Sequence, residues 1–214
     1  MKILLIGPPA CGKGTIGRLL SVELGLPFVS VGNILRKLPF EFRYKKLVED
    51  AMNEGGFVPN FLVAQVISAE LNRSIYANGY ILDGWLRLES DISYFDPKPT
   101  IVVFLTVNDS EVIRRVVGRR ICETDGSIYN IYTSPPGVEG VCDLCGNQLT
   151  QRSDDTKEVA VARLKGFNAE TAKSISRLRD SGILVEVDAN GSITNVFAAV
   201  MAAVEGANEP KNRQ

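Results

Sequence analysis

The stretch "LLIGPPACGKGT", residues 4–15, decides the fold of this chain. It continues a short apolar run at residues 2–6, turns through glycine, proline and alanine, and only then reaches a lysine, Lys13. The apolar run is typical of a buried strand, and residues 13–24 carry apolar side chains at helical spacing. The sequence therefore predicts a strand, a glycine-rich loop and a helix in direct succession.

The loop that follows the strand has the spacing G-x-x-x-x-G-K, followed by glycine and threonine. In such a loop the backbone N–H groups point inward and the next helix adds its positive N-terminus, so phosphate oxygens meet donors from several sides. The lysine adds a charge for the terminal phosphates, and the threonine hydroxyl can reach Mg²⁺. The predicted phosphate-binding residues are Gly7, Pro8, Pro9, Ala10, Cys11, Gly12, Lys13, Gly14 and Thr15.

The alternative is an ordinary strand-to-helix turn that carries a surface lysine. A site for a hydride-transfer cofactor is disfavoured, because the spacing G-x-G-x-x-G is absent from this loop. Within the loop, Cys11 is interpreted as a small filler side chain rather than a metal ligand.

Further apolar runs predict four more buried strands, near residues 27–31, 79–83, 100–105 and 182–187. Helical patterns occur at residues 60–73, 109–118, 155–180 and 192–204. Strands that alternate with helices and are apolar throughout predict a parallel sheet covered on both faces. The expected fold class is therefore α/β, a three-layer fold of the P-loop NTPase type.

Two stretches interrupt this alternation and are predicted to be insertions on one core domain. Residues 30–59 are helical and polar, and residues 118–155 hold three cysteines, two adjacent prolines and many turn formers. The predicted core then comprises residues 1–29, 60–117 and 156–205. Residues 206–214 have no apolar pattern and are expected to be disordered.

The composition disfavours several classes of function. The 214 residues include 24 basic and 25 acidic side chains, so the net charge of −1 gives no bulk attraction to nucleic acid or to an anionic membrane. There is no histidine, which excludes histidine as a base, a metal ligand or a pH switch. The first apolar run is too short for a signal-peptide core, and no stretch approaches a membrane span, so a cytoplasmic protein is expected.

Five motifs, in order along the chain, resemble the adenylate kinase family. "GPPACGKGT" at 7–15 resembles G-x-P-G-x-G-K-G-T, "SVGNILR" at 30–36 resembles S-T-G-D-x-L-R, and "DGWLR" at 83–87 resembles D-G-F-P-R. "GRR" at 118–120 and "QRSDD" at 151–155 resemble the ends of that family's lid. The resemblance spans nearly the whole chain. It implies reversible, Mg²⁺-dependent transfer of the ATP γ-phosphoryl group to AMP, with residues 30–59 as the monophosphate-binding arm and residues 118–155 as the lid.

The resemblance also implies roles for single residues. Lys13 would act on the transferred phosphoryl group, and Asp83 would position Mg²⁺ through its water shell. The migrating group would be surrounded by Arg119, Arg152 and Arg163. Arg115 would lie against the adenine of ATP, with a solvated helix face as the alternative. The α-phosphate of the acceptor would be held by Arg36 and Arg87, and the acceptor-binding residues would be Val31, Arg36, Val58, Gly84, Arg87 and Asp91. Positioned guanidinium groups and a metal can provide most of this catalysis without a side-chain base.

The insertion at 118–155 contains the pattern C-x2-D…C-x2-C, formed by Cys122, Asp125, Cys142 and Cys145. Two knuckles of this spacing can bring four ligands to a tetrahedral Zn²⁺ ion, which would hold together a lid with little core of its own. Similar lids in the family use four cysteines or three with one aspartate. Here the aspartate falls in the first knuckle, which leaves the fourth ligand open. The alternative is a lid held by hydrogen bonds alone.

The chain departs from the family pattern at four positions. Ala10 stands where the loop usually has glycine, which we expect to tighten the loop. Val31 replaces a threonine, and Asn33 replaces an aspartate near the water shell of the metal. At Asp91 the family usually has a glutamine whose amide reads adenine, and a carboxylate cannot donate to adenine N1 unless it is protonated. We therefore predict an acceptor preference that is weakened or shifted from AMP, with GMP as the candidate acceptor. The alternative is that Asp91 is a solvent-exposed helix residue and the backbone reads adenine.

Adenylate kinase activity is the leading interpretation, and a kinase for another nucleoside monophosphate such as GMP is the second. The long lid favours the first interpretation, because the related pyrimidine monophosphate kinases have a much shorter lid. A non-catalytic nucleotide-binding protein and a zinc-bearing module that contacts nucleic acid are the alternatives from other classes. The expected partners are therefore ATP and AMP, and a monomer is the family expectation.

Overall fold

A five-stranded parallel sheet forms the centre of the protein in the computed structural model, which describes residues 1–208. The spatial order of the strands is β2-β3-β1-β4-β8, so that β1 lies in the middle. Every neighbouring pair is parallel. The strands are β1 (Lys2–Ile6), β2 (Phe28–Ser30), β3 (Tyr80–Asp83), β4 (Ile101–Thr106) and β8 (Leu184–Asp188).

Both faces of this sheet are buried, as the continuous apolar runs predict. Leu4 and Ile6 of β1 point into one hydrophobic cluster, and Ile3 and Leu5 point into a second cluster on the opposite face. Leu5 is fully inaccessible to solvent. Side chains alternate along a strand, so this arrangement requires helices on both faces. The predicted three-layer α/β fold is confirmed.

The helices of the core lie where the sequence patterns predict them, and the short helix α5 is an addition. Their bounds are α1 (Lys13–Leu24), α4 (Asn60–Leu71), α5 (Asp91–Tyr94), α6 (Asp109–Gly118), α7 (Lys157–Gly166), α8 (Ala172–Asp180) and α9 (Ile193–Asn208). The helical pattern predicted at 155–180 is confirmed, with a wide π-helical turn at Phe167–Thr171 between α7 and α8. The ring of Phe167 lies 6.3 Å from that of Phe104 on β4. Local periodicity does not reveal this π-helical turn.

The two predicted insertions have different structures. Residues 30–59 contain the short helices α2 (Val31–Arg36) and α3 (Lys45–Asn53). Residues 118–155 contain a small antiparallel sheet in the order β6-β5-β7. Its strands are β5 (Arg119–Cys122), β6 (Ile128–Asn130) and β7 (Leu149–Thr150).

The C-terminal prediction needs a correction. Helix α9 continues to Asn208, so residues 206–208, expected to be disordered, are helical. Apolar residues of this helix, including Val200 and Val204, pack in the second cluster, and Ala207, beyond the predicted end at residue 204, packs against the same cluster. Residues 209–214, the rest of the predicted disordered tail, lie outside the described residues.

The contact between α1 and β2 depends on a residue without a side chain. A Cβ atom added to Gly17 would lie 2.3 Å from Cε2 of Phe28. We predict that Gly17→Ala lowers the free energy of unfolding by about 1–3 kcal/mol through overpacking, measured by urea denaturation. Gly206→Ala is the matched control, because its Cβ would have no heavy atom within 4 Å. Equal stability of the two variants would contradict this account of the contact.

Candidate active site

The phosphate-loop sequence connects the carboxyl end of the central strand β1 to the first turn of α1. Gly7 must be glycine, since a Cβ there would lie 2.6 Å from the backbone oxygen of Leu105. Gly12 precedes α1 with a φ of 107°. Ala10, where the family has glycine, also adopts a left-handed conformation with a φ of 52°. The loop therefore keeps its shape at a strain of roughly 1–2 kcal/mol rather than simply tightening.

The Lys13 ammonium lies across this loop. Its Nζ atom donates hydrogen bonds of 2.8 Å to the backbone oxygens of Gly7 and Pro8. It lies 3.3 Å from Sγ of Cys11, whose side chain is buried. The ammonium is thus held over the loop, and Cys11 fills space beneath it as predicted.

A potential metal position lies next to the loop, at the end of β3. Asp83 accepts a hydrogen bond from Ser30 through Oδ2, at 3.4 Å. Its Oδ1 atom is buried and has no hydrogen-bond partner within residues 1–208. Thr15 lines the same cleft. A buried, unpartnered carboxylate oxygen facing a cleft with a hydroxyl is a donor set that fits Mg²⁺.

The predicted cationic residues come together around one cleft between the core, the arm and the lid. The cleft is lined by Lys13, by the six predicted arginines Arg36, Arg87, Arg115, Arg119, Arg152 and Arg163, and by Arg18, which was not predicted. The sequence separates these residues by up to 150 positions, and the fold brings all of them to the carboxyl edge of the parallel sheet. Their charges favour an anion in this cleft.

Two buried carboxylates orient three of these arginines, and the sequence analysis assigned them no role. Asp154 Oδ2 forms ion pairs with Arg36, at 2.6 Å, and with Arg163. Asp155 binds Arg119 in a bidentate contact. Only 3% of Asp154 and 2% of Asp155 are exposed. The signal was present in the sequence, because both acids belong to the motif "QRSDD" beside an arginine.

The charges in the cleft shift the pKa values of the Asp154 carboxyl group and the Arg152 guanidinium group. Burial acts to raise the pKa of Asp154, but the charges of Arg36 and Arg163 prevail and lower it to about 2. Burial, together with the charges of Arg119 and Arg36, lowers the pKa of Arg152. Arg152 also donates a hydrogen bond of 3.2 Å to Asn33 Oδ1. Positive charge is therefore crowded at this point, and a bound anion would relieve that repulsion.

Arg115 is not on a solvated helix face. Its side chain is only 14% exposed and is paired with Glu111 at 2.9 Å, one turn earlier on α6. It lines the cleft together with Ile193 and Ser192, which the sequence analysis did not include. This surrounding is compatible with a flat nucleotide base.

The acceptor end of the cleft is formed by the arm and the turn after β3. Val31, Val58, Gly84 and Asp91 all line it, as does Asn60, which the sequence analysis missed. The alternative that Asp91 is solvent-exposed is wrong, because only 4% of this residue is exposed. Its Oδ2 atom accepts hydrogen bonds from the backbone N–H groups of Arg87 and Leu88, at 2.8 and 3.0 Å.

The lid brings the four predicted metal ligands together. One ligand atom from each of Cys122, Asp125, Cys142 and Cys145 lies within 4.8 Å of all the others. The Sγ atoms of Cys122 and Cys145 are 3.3 Å apart, and Cys142 Sγ is 3.2 Å from Asp125 Oδ2. Asp125 therefore lies with the three cysteines and can serve as the fourth metal ligand, despite its unusual place in the sequence. This cluster can hold a metal ion.

Comparison with known proteins now decides the family. The family profile described as Adenylate kinase matches residues 5–183. The chain belongs to the adenylate kinase family.

Curated relatives carry the same name. "Adenylate kinase" of Caldanaerobacter subterraneus subsp. tengcongensis is 36% identical over 96% of this chain and 97% of its own length. "Adenylate kinase" of Halobacterium salinarum is 36% identical over 95% of this chain and 96% of its length. "Adenylate kinase" of Rickettsia prowazekii is 37% identical over 89% of this chain and 92% of its length. Both insertions therefore fall within the stretch that matches the Caldanaerobacter relative.

None of the helices described in residues 1–208 is both long and apolar enough to pass through a membrane.

The ion pairs of Asp154 predict a pH dependence of stability. Its pKa is about 2 in the folded protein and 3.8 ordinarily, so the stabilisation is complete above pH 4 and is lost as the pH falls through 2. We expect Asp154→Asn to be less stable than wild type by about 2 kcal/mol at pH 7, with a difference that shrinks between pH 4 and pH 2. Urea denaturation across this range measures it. Asp50→Asn, which removes an exposed partner of Lys46, is the control. A difference that is constant with pH would argue against the ion-pair explanation.

Proposed function

We propose that this protein is an adenylate kinase, which transfers the γ-phosphoryl group of ATP to AMP in a reversible, Mg²⁺-dependent reaction that yields two ADP. The observation that carries the proposal is the cleft in which a phosphate loop meets Lys13 and seven arginines. Family membership supports the same activity, and so do the names of the relatives.

Different residues of the cleft would bind ATP and AMP. The phosphate loop and Lys13 would bind the β- and γ-phosphates of ATP, while Arg115 would lie against its adenine. Arg36 and Arg87 would bind the phosphate of AMP. Arg119, Arg152 and Arg163 would lie between the two nucleotides, where the phosphoryl group moves. Arginine suits these positions because its planar, permanently charged fork matches phosphate oxygens.

The chemistry needs orientation and charge more than a base. Asp83 and Thr15 would hold Mg²⁺, which neutralises charge on the phosphates when it is bound. The N–H groups of the loop and the Lys13 ammonium would align the γ-phosphoryl group with the acceptor oxygen. The guanidinium groups would stabilise negative charge on the equatorial oxygens as the phosphoryl group moves between them. A chain without histidine can carry out this reaction.

Contacts between the arm, the lid and the core would exclude water. Arg163 of α7 donates a hydrogen bond of 2.9 Å to the backbone oxygen of Met52 on the arm. In the lid, Gly126 lies against the guanidinium of Arg18 on α1, and Ile128 lies above Gly14 of the loop. Excluding water prevents hydrolysis of ATP and strengthens each ionic contact in the cleft.

We further propose that the lid holds a structural Zn²⁺ ion. Three thiolates and one carboxylate satisfy tetrahedral coordination and leave no position for a substrate. Tyr129 and Asn147 contact Cys142 and Cys145, at 3.5 and 3.4 Å, and would orient those ligands. A metal would stabilise a lid whose three strands are only 4, 3 and 2 residues long.

We also infer that the enzyme acts as a monomer in the cytoplasm. The residues assigned to both nucleotides all come from one chain, so catalysis needs no second copy.

Lys13 provides the direct test of the activity. We expect wild type to form ADP from ATP and AMP in a coupled assay, and Lys13→Met to lose about a hundred- to a thousandfold in kcat, because a preorganised charge on the phosphates is gone. Lys46→Met is the matched control, since Lys46 is an exposed residue of the arm outside the cleft. Near-normal turnover by Lys13→Met would refute the role given to Lys13.

The lid metal can be tested by elemental analysis of protein purified without chelator. We expect about one Zn²⁺ per chain, and Cys142→Ser should bind less zinc and melt at a lower temperature, because a structural zinc site contributes folding energy. Glu139→Gln changes an exposed lid residue outside the cluster and should keep both properties. Wild-type protein that is free of metal yet melts as it does with added zinc would rule the proposal out.

A further inference from the structure

The turn that follows β3 is held in a strained conformation. Leu86 has a φ of 56°, which L residues with large side chains rarely adopt. The residue is 4% exposed and packs in the first hydrophobic cluster. Gly84, two residues earlier, also has a positive φ, of 94°. The segment between β3 and α5 therefore makes a tight turn at a residue that prefers other backbone angles. Such a strained conformation persists only where surrounding contacts impose it.

Asp91 imposes this conformation. One oxygen of its carboxylate accepts the backbone N–H groups of both Arg87 and Leu88. In return, the Asp91 N–H donates a hydrogen bond of 3.0 Å to the backbone oxygen of Leu88. The three hydrogen bonds close a small ring directly after the strained residue. Trp85 supports the same turn, because its Nε1 donates to the backbone oxygen of Phe95 at 2.9 Å.

The Arg87 side chain enters the cleft from this ring, and its guanidinium lies beside Gly84. Unlike Arg36, Arg119 and Arg163, this guanidinium has no hydrogen-bond partner within residues 1–208. No hydrogen bond of its own therefore anchors the guanidinium, and the backbone of Arg87 determines where the side chain begins. The backbone at Arg87 and Leu88 is fixed by two hydrogen bonds to a buried carboxylate. Arg87 therefore loses little conformational entropy when its guanidinium binds a phosphate.

The Asp91 carboxylate is occupied by the protein itself. Besides the two backbone donors, the Asn60 side chain lies against it. Asn60 is fixed in turn by a hydrogen bond of 2.8 Å from its Nδ2 to Ser90 Oγ. Burial raises the pKa of Asp91, and the N–H groups of Leu88 and Arg87 oppose that rise. These contacts explain why an acid is accommodated at a nearly inaccessible position.

We propose that Asp91 is a positioning residue, which fixes the strained turn at 84–88 so that Arg87 is presented to the α-phosphate of the acceptor, and that it does not read the acceptor base. The proposal rests on the proposed function, in which Arg87 binds that phosphate. It replaces the prediction that a carboxylate at this position shifts the acceptor preference toward GMP. Any nucleoside monophosphate would gain equally from the fixed arginine.

The two possible roles of Asp91 make opposite predictions for a pair of acceptors. Asp91→Ala removes the acceptor of two hydrogen bonds, one of them on Arg87 itself. If Asp91 positions Arg87, kcat/KM should fall about ten- to thirtyfold for AMP and by the same factor for GMP, with the main change in KM for the acceptor. KM for ATP should stay within about twofold of wild type, because the proposed function assigns Arg87 to the phosphate of the acceptor.

The conservative variant distinguishes positioning from base recognition. Asp91→Asn keeps an acceptor oxygen for both N–H groups but loses the charge, so it should restore kcat/KM for both acceptors to within about threefold of wild type. If the carboxylate instead reads the base, this same variant should change the ratio of the AMP and GMP values, since an amide also donates.

The control is a second turn of the same kind outside the cleft. Asp96 Oδ1 accepts the backbone N–H of Lys98 at 2.8 Å, and Lys98 has a φ of 48°. Asp96→Ala should therefore disturb a strained turn without changing either acceptor constant. Circular dichroism melting of each variant reports folding separately from activity.

Equal losses for AMP and GMP in Asp91→Ala, together with recovery in Asp91→Asn, would support the proposal. A changed AMP-to-GMP ratio in either variant, or unchanged constants in Asp91→Ala, would overturn it. If Asp91→Ala does not fold, the ratio of kcat/KM for AMP to kcat/KM for GMP in Asp91→Asn distinguishes positioning from base recognition on its own. Wild-type protein that forms no ADP would contradict the proposed function itself, and the wild-type assay reveals this separately.

Discussion

The pairing of Asp154 and Asp155 with three arginines is the interaction on which the rest of the cleft depends. Guanidinium groups repel one another, and without counter-charges Arg36, Arg119 and Arg163 would extend into solvent. Two almost fully buried carboxylates hold these groups at the edge of the sheet. These carboxylates have few other partners, so removing the arginines would leave two buried negative charges uncompensated. The carboxylates and the arginines therefore depend on each other.

The same pairing joins parts of the chain that are remote in sequence. Asp154 lies at the end of the lid, just before α7, yet its partner Arg36 belongs to the arm, 118 residues earlier. The arm, the lid and the core are thus connected by the residues that are proposed to bind phosphate. An anion bound in the cleft would compete with Asp154 and Asp155 for these arginines.

Much of the architecture could be predicted from the sequence because its signals are local. Five apolar runs, a glycine-rich loop with a fixed spacing and the two knuckles C-x2-D and C-x2-C each depend on neighbours in the chain. The features that were missed depend on distant contacts. The π-helical turn between α7 and α8 carries Phe167, whose ring lies near that of Phe104, and the last turn of α9 carries Ala207, which packs against the second cluster. Asp91 is buried where its carboxylate accepts the N–H groups of Arg87 and Leu88, and no periodicity reveals this contact.

Asp154 and Asp155 hold the arginines of the cleft in place without help from a nucleotide. Nitrogen-15 NMR of the arginine guanidinium groups in the nucleotide-free protein is the direct test. We expect slow rotation and separate Nη signals for Arg119 and Arg163, because carboxylates hold them in place. Single, averaged signals that separate only after ATP and AMP analogues are added would contradict it, since the nucleotides would then organise the arginines themselves.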